Sequence, residues 1–92
     1  MNTYKSIDVW RRVNSETAIR FRCFQINENA TYCVQSADMY HEPIDEKEIR
    51  FLERQFIELF IEEAPETRNG VYPTLEEAIA AHEKEFEEYA HE

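Results

Sequence analysis

A chain of 92 residues with 42% hydrophobic and 13% aromatic content can bury roughly 60–65% of its unfolded surface, and so folds without metal or disulfide staples. Its net charge of −10 argues against a nucleic-acid partner, because such binders carry a basic surface, and a single glycine excludes the glycine-loop cofactor folds. The opening MNTYKSIDVW holds no apolar run of signal-peptide length, no stretch approaches the ~20 apolar residues of a membrane span, and two cysteines are too few for a disulfide framework. The expectation is one cytoplasmic domain over residues 1–92.

The first predicted element is a strand over about residues 6–13, where Ile7, Val9 and Val13 alternate with Asp8, Trp10 and Arg12. Turn formers from Asn14 to Thr17 lead to a second strand over about 18–26, with Ile19, Phe21 and Cys23 on one face and Arg20, Arg22 and Phe24 on the other. A polar turn at Asn27, Glu28 and Asn29, in which Asn29 suits a left-handed conformation, precedes a third strand over about 31–40. Odd-length hairpin loops pair Val13 with Ile19, Val9 with Cys23, Cys23 with Cys33 and Ile19 with Ala37. That register collects the apolar odd residues on one core face and sets Trp10 across from Arg22, Arg12 from Arg20 and Phe24 from Tyr32.

After His41 the period changes from that of a strand to that of a helix. Asp45 is a suitable N-cap with Glu48 three residues on, and Ile49, Leu52, Phe56, Leu59 and Phe60 form an apolar stripe, so a helix is predicted over about 46–63, closed by Pro65. Ile57 and Ile61 widen this stripe, and Phe51 lies nearly opposite it. A second start signal at Thr74 and Glu77, with Leu75, Ala78, Ile79, His82, Phe86 and Tyr89 on one face, predicts a helix over about 75–89. The expected class is α+β: a three-stranded antiparallel meander followed by two helices on its odd face, in the order β-β-β-α-α.

Charge divides at the same point as the periodicity. Residues 1–41 carry five Lys/Arg and four Asp/Glu, whereas residues 42–92 carry five and sixteen. Two candidate surfaces follow. The even sheet face gathers Trp10, Arg12, Arg20, Arg22, Phe24 and Tyr32, with Val34 beside them, residue types enriched at protein-interface hot spots and suited also to stacking single-stranded bases. The helices present Glu58, Glu62, Glu83 and Glu87 in a negative field that speeds capture of a basic partner.

Enzyme chemistry finds little footing, and none is expected. Cys23 and Cys33 lie on the inferred core face, where thiols are inert, and His82 reads as a core-edge histidine. Zinc wants about four ligands, and Cys23, Cys33, His41 and His82 show neither CxxC nor HxxxH spacing, so no metal or other cofactor is expected. The leading expectation is a non-enzymatic protein-interaction module, in its simplest form a homodimer through the aromatic and arginine sheet face. An acidic inhibitor or antitoxin-like protein acting through the helices stands second, and a weak single-strand nucleic-acid binder third.

Overall fold

The computed structural model describes residues 3–27 and 30–90, with side chains described through Glu85. Strands β1 (Tyr4–Asn14), β2 (Thr17–Ile26) and β3 (Thr31–His41) form one antiparallel sheet in the order β1-β2-β3. Helix α1 (Glu46–Glu62), a single turn α2 (Pro65–Arg68) and helix α3 (Leu75–Ala90) follow. The α+β class and the β-β-β-α-α order are those expected, with α2 added in the link. Both capping signals act at the helix starts. The Asp45 carboxylate accepts from the Lys47 amide at 2.9 Å, and the Thr74 hydroxyl accepts from the Glu77 amide at 3.2 Å.

The strand register differs from the expected one in two places, each with a local cause. Between β1 and β2 the Asn14 side chain accepts from the Glu16 amide at 2.8 Å, and this turn lets Asn14 face Thr17 with Val13 as an extra residue. The tighter turn shifts the pairing by two positions. Ile7 meets Cys23, Val9 meets Phe21, Trp10 meets Arg20 and Arg12 meets Ala18, so the expected Val9–Cys23, Trp10–Arg22 and Arg12–Arg20 pairs do not form, although the odd residues keep their common face.

Between β2 and β3 a bulge at Gln35 changes the face itself. Ile19 meets Met39 and Phe21 meets Ala37, but past the bulge Cys23 meets Val34 and Phe24 meets Cys33. Buried Gln35 donates its amide to the Phe56 carbonyl at 3.1 Å, which ties the irregularity to α1. The expected Cys23–Cys33 pair is therefore replaced, and the two thiols sit on opposite faces of the sheet. Past Gln35, Val34 and Tyr32 turn to the odd face and Cys33 to the even one.

The helices lie on opposite faces of the sheet rather than together on the odd one. On the odd face Phe21, Cys23, Val34 and Ala78 form the buried core, with Ile7, Val9, Ile19, Leu75 and Ile79 packed around it. On the even face Phe56 stacks on Phe24 at 5.4 Å and Phe60 meets the same ring at 5.0 Å. Width explains the division: three strands about 4.8 Å apart offer little more than the ~10 Å breadth of one helix. A second helix on the same face would overhang into water, whereas the aromatic even face needs a cover.

Two smaller features concern the turns. Ala30 takes the left-handed conformation at φ 53° in the turn before β3, and Asn29, expected to do so, lies outside the described residues. The only glycine serves close approach: a Cβ at Gly70 would stand 2.9 Å from the Tyr72 hydroxyl, whose residue bridges by backbone to Tyr32.

Candidate interaction surface

Three of the six basic and aromatic residues expected on an open sheet face, Arg20, Arg22 and Phe24, lie beneath α1. Arg22 is 1% exposed; its Nε donates to Asp38 and its Nη2 donates to Glu53 at 2.9 Å, while the guanidinium lies 4.8 Å over the Phe56 ring. Arg20 donates to the same Glu53 oxygen at 2.9 Å and to Asp8 at 2.7 Å. Two guanidinium groups thus meet three carboxylates through the Nη1 and Nη2 of Arg20 and the Nε and Nη2 of Arg22, while Arg20 Nε is buried without a hydrogen-bond partner. Glu53 is held below its ordinary value chiefly by the hydrogen bond from Arg22, which with Arg20 outweighs the opposing effect of burial.

Phe24 is buried in the aromatic cluster with Tyr4, Phe56 and Phe60. Val34 is buried under α3, and Tyr32 is partly buried with its amide and carbonyl each bonded at 2.8 Å to Tyr72. Of the seven residues expected on this surface, Arg22, Phe24 and Val34 are therefore interior, Arg20 and Tyr32 are partly covered, and Trp10 and Arg12 are exposed. Of the three rings expected to stack single-stranded bases, Phe24 is covered by α1, Tyr32 is carried to the odd face and Trp10 stays exposed. The partners that neutralise the arginines, Asp8, Asp38 and Glu53, were not among the expected site residues; the even numbering of Asp8 and Asp38, shared with Arg20 and Arg22, was the available signal.

What stays open is the end of this face beside the free edge of β1. Trp10 is 58% exposed, packs 5.7 Å from Tyr40 and receives the Arg20 guanidinium over its ring at 5.3 Å. Arg12 is exposed and makes no ion pair among the described residues. Val13 and Ile44 are exposed nearby. The Thr3 carbonyl accepts from the Asn27 amide, so in the antiparallel ladder the odd residues of β1 bond to β2 while Ser6, Asp8, Trp10 and Arg12 turn their backbone groups outward.

The opposite edge is blunted. Val71 to Pro73 run alongside the start of β3 through the Tyr32–Tyr72 bridge, and the Gln35 bulge interrupts the strand. β1 from Tyr4 to Arg12 has neither device. Its register runs unbroken over nine consecutive pairs before the irregularity at Val13.

The acidic candidates are dispersed. Glu83 accepts from Arg11, Glu62 lies 3.9 Å from Arg68 together with Glu63 at 3.3 Å, and Glu58 is exposed without an ion pair among the described residues. Glu87 belongs to α3, but its side chain lies outside the described residues. The outer side of α1 is also more apolar than expected: Ile57 and Ile61, both placed in the core-facing stripe by the sequence, are 53% and 77% exposed, and they join Phe51, which is exposed opposite the stripe as expected.

The groups with reactive potential are quiet. Burial pushes the Cys23 thiol up to about 12 and the Cys33 thiol up to about 11, with like charge from Glu66 adding to the effect at Cys33. His82 is lowered by burial, against a smaller pull from Glu85, and meets the Phe21 ring edge-on at 6.4 Å. It borders a groove of about 490 Å³ on the odd face, lined by Ile19, Phe21, Ala37 and Met39 with the Arg11–Glu83 pair at its rim. Among the described residues no three His, Cys, Asp or Glu side chains converge as a metal site, and no helix is long and apolar enough to cross a membrane. No protein-family model, curated protein or solved structure matches this chain.

Proposed function

We propose that this protein is a non-enzymatic interaction module of the cytoplasm whose contact surface is the free edge of β1 around Trp10. The observation that carries the reading is a tryptophan 58% exposed on the edge strand of a sheet whose other edge is blunted. Trp and Arg dominate interface hot spots, and the free side of an edge strand offers a row of main-chain donors and acceptors to an incoming strand. The cation–π contact with Arg20 and the packing on Tyr40 hold the indole in place, which lowers the entropy lost on binding. Two buried, neutral thiols suit a reducing compartment.

A photo-crosslinking side chain at Ser6, on the same open edge, tests the reading in living cells. Adducts are expected from Ser6 and are expected to vanish when Trp10→Asp is added. Failure to form adducts, or adducts indifferent to Trp10→Asp, overturns the proposal. A second reading, capture of a basic protein by the helices, is favoured by exposed Glu48, Glu58, Glu76 and Glu77, none of which has an ion pair among the described residues. Adducts from a crosslinker at Glu76 in place of Ser6 would support it.

A further inference from the structure

We infer that the partner at this edge is a second copy of the chain, joined β1 to β1 in antiparallel fashion about a two-fold axis at Trp10, so that Asp8 of each copy faces Arg12 of the other. This inference rests on the proposed interaction surface and adds its occupant and register. Two constraints select the register. Only outward-turned residues can exchange main-chain hydrogen bonds, which confines the bonded pairs to Ser6, Asp8, Trp10 and Arg12 of either copy. Charge then chooses among the even alignments. An axis at Asp8 sets that carboxylate against its own copy. An axis at Val9 sets Asp8 against Trp10 and Arg12 against Ser6, leaving both charges uncompensated at the seam. An axis at Trp10 brings Asp8 opposite Arg12 twice and the two indoles together.

The sequence Asp8-Val9-Trp10-Arg11-Arg12 therefore complements its own reversal, a property that pairing with an unrelated strand does not require. Exposed Arg12 gains the counter-charge it lacks among the described residues, and the exposed Trp10 is covered. Asp8 keeps its bond from Arg20 and accepts a second cation. The pairing forms about six main-chain hydrogen bonds, two for each bonded pair, and stops at the Val13 bulge, where the edge ceases to be regular. Both α1 helices end on the same side of a continuous six-stranded sheet.

Charge-reversed variants test both the occupant and the register. Sedimentation equilibrium of the full chain is expected to show a dimer that dissociates on dilution. Arg12→Asp alone and Asp8→Arg alone each place like charges opposite one another and should raise the dimer Kd roughly tenfold or more. An equimolar mixture of the two variants, and the double variant Asp8→Arg/Arg12→Asp, should each recover dimerisation, because every seam pair is again opposite in charge. Circular dichroism reports whether Asp8→Arg, which loses its bond from Arg20, remains folded. If it does not fold, Arg12→Asp and Trp10→Asp carry the test, since both replace exposed side chains and both should be monomeric. A wild-type monomer at every concentration overturns self-pairing, while Ser6 adducts to a different protein would leave the interaction-module reading standing. A dimer unaffected by Arg12→Asp, or folded single variants that fail to dimerise when mixed, overturns the register.

Discussion

A guanidinium shut away from water stays charged, so Arg22 depends on the carboxylates of Asp38 and Glu53 that meet it beneath α1. Removing the cation leaves Asp38, itself 8% exposed at its side chain, without its counter-charge. Arg22→Ala is expected to destabilise the fold by about 3–5 kcal/mol, the usual cost of breaking a buried pair from one side, read from the urea midpoint. Arg22→Met with Asp38→Leu, which removes both charges, should cost much less. The thiols give a second check at this scale. Cys23 and Cys33 are fully buried and shifted toward about 12 and about 11, so a thiol-specific reagent at pH 8 should modify neither in the native protein and both in denaturant. As both folded values are raised, the stability they contribute is present below pH 9 and is lost as pH climbs through 11 to 12.

At the scale of elements, β2 and α1 stand at opposite ends of the range of local stability. β2 buries five residues from Phe21 to Ile26, whereas no residue of α1 is buried and the helix rests on the sheet through Glu53, Phe56 and Phe60. Amide exchange should therefore be faster in α1 than in β2, and Phe24→Ala, which deletes the ring both helix aromatics sit on, should cost about 3–5 kcal/mol. The existence and type of the elements were legible in the sequence because period-2 and period-3.6 patterns are local, and so were the caps at Asp45 and Thr74. Which helix covers which face was not legible. The apolar stripe of α1 shows that it must lie on something, while the choice depends on sheet width and on Phe24 needing a cover. The Gln35 bulge was equally hidden, because its cause is a bond to the Phe56 carbonyl, twenty-one residues away. That bulge carried Tyr32 and Val34 off the expected surface. Trp10 and Arg12 were placed correctly on the even face because they belong to the stretch of β1 before any irregularity.

For the whole molecule, acid should weaken the fold in two stages. Burial lowers His82 from its ordinary 6.5, so the folded chain refuses a proton that the unfolded chain accepts, and stability is lost as pH falls through about 6.5. Glu53 is lowered from 4.5 by Arg22 and Arg20, so its contribution is present above that value and disappears as pH falls further below it. Urea midpoints measured from pH 8 to 3 should show both steps, with the first absent in His82→Gln. The molecule's charge remains divided between its two halves, but the basic share is not an open face: the arginines of β2 are neutralised inside, and exposed Arg12, without an ion pair among the described residues, stands at the free edge beside Trp10. The use of that edge is most directly tested by amide exchange along β1 in dilute and concentrated solution. Slower exchange on concentration is predicted at Asp8, Trp10 and Arg12, with Ile7, Val9 and Arg11, already bonded to β2, unchanged. Equal exchange at all six positions in both solutions would contradict it.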